Sequence, residues 1–193
     1  MKKPWLEAIS ALKSGWLAVI PTDTIYGIVA RAEDEATIKK LNQAKKRADN
    51  HPYIILISAL SDLKIFDIKL TAKNKNILAQ VWPGAVSIIL PTKSKRFKYL
   101  SPESNLAFRL PAMGQLRDLL NVTGPLVAPS ANISGQPPAK TIAQAQKYFS
   151  TQVAVYVRAE TEPLDSLPST LLDLSGAKPK IKRRGSVNLD QFL

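Results

Sequence analysis

Short apolar runs alternate with amphipathic segments along most of this chain, and that alternation restricts its fold more than any other feature. "WLAVI" (16–20), "YIILI" (53–57) and "AVSIIL" (85–90) have the length and residue types of buried strands. A segment between two of them, 34–47, has acidic residues at its start and basic residues at its end, as a helix dipole favours. Strands that alternate with helices predict an α/β domain. The succession of strands near the C-terminus predicts that its sheet is mixed.

Other segments extend this pattern without dividing the chain. "PWLEAISALKSG" (4–15) reads as a helix with Gly15 at its end, and Thr141 is placed to cap a helix over "TIAQAQKYF" (141–149). Further strands are predicted at "LAFRL", "PLVA", "VAVYV", "STLLDL" and "KIKRR". A length of 193 residues suits one sizeable core, and no repeat or long linker interrupts it. We therefore expect a single domain over residues 1–193.

The near absence of cysteine and histidine excludes several kinds of site. The sequence has no cysteine, which rules out disulfides, thiolate nucleophiles and cysteine-ligated metals. Its one histidine, His51, lies in the polar stretch "RADNHPY" and reads as a loop residue rather than a general base. We therefore expect no metal held by protein side chains.

The excess of basic residues indicates an anionic partner. Lysine and arginine number 27 against 15 acidic residues, a net charge of +12, and much of the charge is grouped at 39–47, 93–98 and 178–184. Such groups attract polyanions or anionic small molecules, although a basic surface also serves solubility. No apolar run approaches the roughly 20 residues of a membrane span. The lysines at the start are not followed by a long apolar region, so we expect a cytoplasmic protein without a membrane partner.

Three polar loops follow predicted strands, where open α/β sheets bind ligands. They are "PTDTIYG" (21–27), "APSANISG" (128–135) and "LPST" (167–170). Their hydroxyls and amides suit phosphate, an amino acid or a ribose, but the same residue types also close ordinary turns. Neither a Walker A pattern nor GxGxxG is present, so a nucleotide would need another kind of site.

Five basic residues are candidates for contact with an anion. Two of them, Arg183 and Arg184, end the last predicted basic strand and are candidates for contact with a phosphate. Lys45 and Arg47 lie at a predicted helix end, where a solvated face is the alternative interpretation. Arg109 interrupts an apolar strand, so it must pair, reach solvent or bind an anion. At this level of argument the ion pair and the ligand contact remain equally open for Arg109.

Several motifs together resemble one known family. "PTDTIYG", the lysine-x-arginine at 45–47, "WPGAVSIIL", "FRLP", "PLVAPSANISG", "PST" and "RRG" occur in the order typical of the YrdC/Sua5 family, whose short bacterial form is TsaC-type. The resemblance covers nearly the whole chain. It implies a twisted, open α/β sheet with flanking helices and a basic concave face.

The resemblance also implies an activity, that of a threonylcarbamoyl-AMP synthase. Members of the family convert L-threonine, bicarbonate and ATP, with Mg²⁺ expected beside the ATP, into L-threonylcarbamoyladenylate and pyrophosphate. Partner proteins then use the adenylate for N6-threonylcarbamoyladenosine at position 37 of ANN-decoding tRNAs. Direct contact with tRNA is a further expectation, because a basic groove can hold ATP and also touch RNA.

Roles follow from the resemblance only where a motif matches. The expected catalytic residues are Lys45 and Arg47. The expected threonine-side residues are Thr24, Arg109 and Ser130. The expected ATP-binding residues are Asn132, Ser134, Ser169, Thr170 and Arg184. Ala48 stands where many members have proline, Leu56 where some long members have histidine, and Ser87 where threonine is common.

Two other functions remain open on the sequence. A double-stranded RNA-binding or ribosome-maturation factor would use the basic face without catalysis, and salt would weaken its binding steeply. The second alternative is a carbamoyl-transfer domain like the related part of hydrogenase-maturation proteins. The sequence favours this interpretation less, because it lacks the zinc-finger and acylphosphatase portions of those proteins.

Overall fold

The computed structural model describes residues 1–47, 52–101, 103–162, 164 and 167–193. These residues form five α-helices: α1 (Lys3–Lys13), α2 (Glu35–Lys45), α3 (Ala72–Val81), α4 (Gly114–Thr123) and α5 (Ile142–Phe149). They also form nine strands: β1 (Ala18–Ile20), β2 (Gly27–Arg31), β3 (Ile54–Leu56), β4 (Val86–Pro91), β5 (Asn105–Arg109), β6 (Leu126–Val127), β7 (Val155–Tyr156), β8 (Thr170–Asp173) and β9 (Lys180–Arg183). Ala48 and His51 lie outside the described residues.

All nine strands join one mixed sheet in the order β7-β1-β2-β6-β3-β5-β4-β8-β9. The pairs β1–β7, β3–β5 and β4–β8 are parallel, and the remaining neighbours are antiparallel. The predicted α/β domain with a mixed, open sheet and flanking helices is therefore confirmed. None of the described helices is long and apolar enough to cross a membrane.

Side chains alternate along the strands and bury two hydrophobic cores, one on each face of the sheet. Val19 belongs to the core that includes residues of α2, α3 and α5, whereas its neighbours Ala18 and Ile20 belong to the core that includes residues of α1 and α4. The same alternation separates Ile55 from Leu56 on β3. Both faces are covered by helices, so the strands read as continuous apolar runs in the sequence.

Helix ends follow the predicted capping residues. The Thr141 hydroxyl accepts a hydrogen bond from the Gln144 backbone N–H, which confirms the predicted cap of α5. Helix α1 ends one residue earlier than expected: Ser14 is its C-cap, and Gly15 follows with φ of +74°. That left-handed conformation favours glycine, because it has no Cβ to clash.

Two elements were missing from the sequence prediction. Strand β2 pairs with β1 so that Ile20 faces Gly27, and "PTDTIY" is thus a hairpin connection rather than a loop that leads to a helix. A 3₁₀ helix, Leu60–Phe66, follows β3 and buries Leu63 and Phe66. The hairpin brings the loop after β1 beside the loop after β6, since the Ile28 N–H donates to the Pro129 carbonyl oxygen at 3.0 Å.

Candidate active site

Several loops and strand ends surround a cavity of about 450 Å³. The hairpin loop between β1 and β2, the end of β5, the loop after β6 and the end of β9 all contribute to its wall. The lining residues that carry polar side chains are Thr22, Thr24, Tyr26, Arg47, Tyr53, Arg109, Ser130, Lys140 and Arg183. No described lining residue is acidic. This cavity is therefore suited to an anionic ligand.

The hairpin loop is held by the hydroxyl of Thr22. Its Oγ1 accepts from the backbone N–H groups of Thr24 and Ile25 at 3.1 and 3.2 Å, and it donates to the Ile25 carbonyl at 2.7 Å. The Thr24 Oγ1 lies 3.0 Å from Thr22 Oγ1. Because the Thr22 hydroxyl proton is already donated to the Ile25 carbonyl, Thr24 is the donor between these two hydroxyls. This closed turn fixes the Thr24 oxygen as an acceptor at the cavity wall.

Arg109 is both ion-paired and part of the cavity wall. The residue is only 5% exposed, its Nη1 donates to Thr24 Oγ1 at 2.9 Å, and its Nη2 lies 3.2 Å from Asp23 Oδ1. Burial lowers the pKa of Arg109, and Asp23 partly offsets this while Arg183 adds to it. Its buried Nε has no hydrogen-bond partner among the described residues. The structure thus shows the ion pair with Asp23 and places Arg109 in the cavity wall, while contact with a ligand stays a prediction.

Arg47 forms a second cationic part of the wall. Its Nη2 donates to the Pro52 carbonyl at 2.9 Å, and its guanidinium lies 4.6 Å from the centroid of the Tyr53 ring. The Arg47 Nε is buried without a hydrogen-bond partner, and burial lowers the pKa of this guanidinium. Contact with the aromatic face holds the planar group in place without using all its donors.

Lys45 lies behind the wall, where it holds the loop after β6. It is 3% exposed, and its Nζ donates to the Ser130 and Asn132 carbonyl oxygens at 2.5 and 2.7 Å. The Ser134 N–H in turn donates to the Lys45 carbonyl at 2.8 Å. Burial, assisted by nearby Arg47, lowers the pKa of Lys45 to about 7. The helix end of α2 and this loop are therefore joined through both backbone and side chain.

The loop after β6 is closed by its own asparagine. Asn132 Oδ1 accepts from Ser130 Oγ at 2.5 Å, and Asn132 Nδ2 donates to the Gln136 carbonyl at 2.7 Å. Of this loop's three predicted site residues, Ser130 lines the cavity, whereas Asn132 and Ser134 do not. Their hydrogen bonds determine where Ser130 lies.

At the end of β9, it is Arg183 that reaches the cavity. The predicted residue Arg184 points elsewhere: its Nη1 lies 2.8 Å from Asp190 Oδ1, and its side chain is 67% exposed. Arg183 lines the cavity and donates from Nη2 to the Ser169 carbonyl at 2.9 Å and to Ser169 Oγ at 3.2 Å. Of the two arginines considered from the sequence, the resemblance indicated Arg184, whereas it is Arg183 that lines the cavity.

Ser169 and Thr170 support this arginine from behind. Ser169 Oγ lies 2.8 Å from Ser87 Oγ, in the buried interior. Thr170 Oγ1 donates to the Val187 carbonyl at 2.6 Å and accepts from the Gly185 N–H at 3.0 Å. Neither residue lines the cavity. They fix the turn after β9, on which the position of Arg183 depends.

One part of the cavity wall was not predicted from the sequence. It includes Pro137, Pro138 and Leu164. Tyr26 connects this wall to the segment after β7, because its hydroxyl accepts from the Ala159 N–H at 2.7 Å and donates to Glu162. Burial and Glu162 raise the pKa of Tyr26. In the sequence, the proline pair at 137–138 indicates only a loop.

The side chains that line this cavity suit the binding and neutralisation of an anion. Arg47, Arg109 and Arg183 bring three guanidinium groups to one wall, and among the described residues only Asp23 pairs with any of them. Guanidinium groups bind phosphate and carboxylate oxygens in bidentate fashion. No described group of three or more histidine, cysteine, aspartate or glutamate residues is placed to hold a metal ion.

Comparison with known proteins gives consistent matches over most of the chain. Residues 10–185 match the sequence model of the Sua5/YciO/YrdC family, which carries the description telomere recombination. A protein of Mycobacterium tuberculosis, provisionally named a threonylcarbamoyl-AMP synthase, is 32% identical over 97% of this chain and 86% of its own length.

Solved structures agree with these sequence matches. The Sua5 protein of Pyrococcus abyssi, determined in complex with L-threonine, superposes with a TM-score of 0.87 at 27% identity. The alignment covers 98% of this chain and 56% of the Pyrococcus chain, so this chain spans just over half of that protein. Escherichia coli YciO superposes with a TM-score of 0.86 at 21% identity, over 98% of this chain and 92% of its own, and shows the same fold.

Proposed function

This chain belongs to the Sua5/YciO/YrdC family, and we propose that it is a threonylcarbamoyl-AMP synthase. The reaction joins L-threonine, bicarbonate and ATP into L-threonylcarbamoyladenylate and releases pyrophosphate. The observation that supports this most strongly is a cavity in which three arginines and two threonine hydroxyls meet without a described carboxylate in the lining. ATP, bicarbonate and the carboxylate group of threonine are all negatively charged, and such a wall attracts them.

We assign the threonine side of the cavity to Arg109 and Thr24. Arg109 is buried, is already oriented by Thr24 and Asp23, and retains one Nε–H without a partner. A buried guanidinium with a free donor is matched by a carboxylate, which accepts charge-assisted hydrogen bonds. Ser130, on the adjacent loop, supplies a hydroxyl close to the same wall. The Pyrococcus Sua5 structure in complex with L-threonine supports a threonine site in this fold.

We assign the ATP phosphates to Arg47 and Arg183. Both line the cavity, and no described carboxylate forms an ion pair with either. Asn132 and Ser134 act by shaping the loop that carries Ser130, and Ser169 and Thr170 act by orienting Arg183. Arg184, in contact with Asp190, is not part of this assignment.

The reaction suits a site without a side-chain nucleophile. The threonine amine adds to the carbon of bicarbonate with loss of water, which gives a carbamate. A carbamate oxygen then attacks the α-phosphorus of ATP in line, and the bond to the pyrophosphate oxygen breaks. Such a displacement depends on positioning and on neutralising charge, both of which the arginines supply.

Mg²⁺ is expected to accompany ATP, but the described residues that line the cavity do not form a site for it. No described lining residue is a carboxylate, and carboxylates are the protein ligands that Mg²⁺ prefers. We therefore derive no step through the metal. We also propose that partner proteins transfer the threonylcarbamoyl group of the adenylate to tRNA. The proposed location is the cytoplasm, where tRNA and ATP are available.

The proposal is tested by product formation. The protein is incubated with isotopically labelled bicarbonate, L-threonine and MgATP, and L-threonylcarbamoyladenylate is detected by mass spectrometry. Label is expected in the product only when all three substrates are present. ATP hydrolysis to pyrophosphate that does not require threonine, with no labelled adenylate, would overturn the assignment.

A further inference from the structure

A second cavity of about 450 Å³ lies within the connection between β4 and β5. Its polar lining is made of three lysines, four hydroxyl residues and one carboxylate: Lys93, Lys95, Lys98, Thr92, Ser94, Ser101, Ser104 and Glu103. We call it the loop pocket. The loop pocket and the candidate active-site cavity, called the catalytic cavity below, have no described lining residue in common. On β5, Leu106 lines the loop pocket, and Arg109, about 10 Å further along the strand, lines the catalytic cavity.

The loop that forms this pocket is anchored to the core. Thr92 Oγ1 donates to the Phe66 carbonyl at 2.6 Å, and the Thr92 N–H donates to the Ser104 carbonyl at 2.9 Å. Phe97 and Leu100 are buried, and the Phe97 ring centroid lies 4.6 Å from that of Phe66. The backbone that carries the three lysines is therefore held against the core, while the lysine side chains themselves are exposed.

The charge of the loop pocket is not neutralised by the protein. Among the described residues, Lys93, Lys95 and Lys98 form no ion pair. Glu103 is the carboxylate in the lining, which leaves an excess of two positive charges. Three lysines kept close together repel one another, and an anionic ligand would relieve that repulsion.

We propose that the loop pocket is a second binding site for phosphate groups, separate from the site of adenylate synthesis. Lysine offers a mobile point charge and serine and threonine offer hydroxyl donors, which suits phosphate oxygens. No aromatic face is exposed in the lining for stacking a base, since Phe97 is buried. The pocket thus recognises phosphate and not a particular nucleotide. The phosphate belongs either to the backbone of an RNA or to a small free anion.

The test uses two probes and two matched variants. In the first variant Lys93, Lys95 and Lys98 are replaced by glutamine. In the control, Lys69, Lys73 and Lys75, which are exposed and line neither cavity, are replaced in the same way. Binding of a labelled RNA duplex is measured by fluorescence anisotropy over a range of salt concentrations, and binding of inorganic pyrophosphate is measured by calorimetry.

If RNA is the source of the phosphate, the loop variant binds the duplex at least about tenfold more weakly at moderate salt than the control does. The slope of log affinity against log salt then falls by about 2 to 3, one contact for each lysine. If the source is a small anion, the loop variant loses one pyrophosphate binding event while RNA binding matches the control. A lysine-to-arginine triple variant is expected to retain binding in either case.

Equal binding of both probes by the loop variant and the control would overturn the proposal. Thermal unfolding and adenylate synthesis are measured on the same preparations. Both are expected to match the control, because no residue of the loop pocket lines the catalytic cavity. A wild-type protein that synthesises no adenylate would contradict the proposed function and would leave the binding measurements unaffected. The proposed function and the proposed phosphate site can therefore fail separately.

Discussion

Replacing Lys45 by methionine tests how the buried ammonium connects α2 to the loop after β6. Burial lowers the pKa of Lys45 from its ordinary value of 10.5 to about 7 in the folded protein. Between these two pH values the unfolded chain binds more protons at this residue than the folded protein does. The free energy of unfolding therefore rises with pH across that window, and the contribution of Lys45 is least favourable at and below about pH 7.

The expected magnitude follows from the two pKa values. From pH 7 to pH 9, Lys45 alone raises the free energy of unfolding by about 2 kcal/mol. The methionine variant lacks this contribution, so its stability should change less over the same range. The variant also removes the ammonium donor from the Asn132 carbonyl oxygen, at a cost of about 1 to 3 kcal/mol, whereas the Ser130 carbonyl oxygen keeps the hydrogen bond from the Asn132 N–H.

The assay is urea denaturation at pH 7 and pH 9 for the wild type, Lys45→Met and a control, Lys46→Met, whose parent side chain is exposed. From pH 7 to pH 9, the free energy of unfolding should rise by about 2 kcal/mol more in the wild type and the control than in Lys45→Met. An equal gain in all three proteins would refute the reasoning. It would mean that the oxygens around Nζ keep the ammonium charged as readily as water does.

Two other substitutions test the architecture of the β9 end of the cavity. Arg183→Gln should raise the KM for ATP by about tenfold or more, because a charge-assisted contact is worth about 1.5 to 3 kcal/mol. The control, Arg184→Gln, should leave this KM within about twofold of the wild-type value. Both KM values are measured from steady-state pyrophosphate release, and equal effects of the two substitutions would contradict the assignment. Gly185→Ala should lower the free energy of unfolding by about 3 kcal/mol, because the alanine Cβ would lie 2.1 Å from the Pro168 carbonyl oxygen. Urea denaturation measures this free energy. A variant as stable as the wild type would show that the turn rearranges at little cost.

The sequence predicted the elements of the fold better than the places where they meet. Apolar runs and caps such as Thr141 are local signals, and they located most strands and helix ends. Strand β2 was missed because "PTDTIYG" has the composition of a loop, and nothing local shows that the chain turns back to pair Gly27 with Ile20. The apolar run "GIVA" was the available signal for this strand.

Two site residues show why the rest of the site could not be predicted. Arg183 is the last residue of the edge strand β9 and Arg184 is the first residue after it, so their side chains point in different directions. A register irregularity between Leu171 and Leu172 on the partner strand precludes counting along the strand from the sequence. Lys45 lies in a basic run that resembles a solvated helix end, and its burial depends on a loop 85 residues further along the chain.

Arg109 is the proposed anchor of threonine, and its replacement tests the proposed synthase site most directly. Threonine-dependent pyrophosphate release is measured for the wild type, Arg109→Lys and the control Arg117→Lys, whose parent side chain lies outside the cavity lining. Arg109→Lys keeps the charge but loses the planar donors, so kcat/KM for threonine should fall by about 10- to 100-fold, while the KM for ATP changes little. The control should match the wild type. Unchanged kcat/KM in Arg109→Lys, or wild-type pyrophosphate release that does not depend on threonine, would contradict the account.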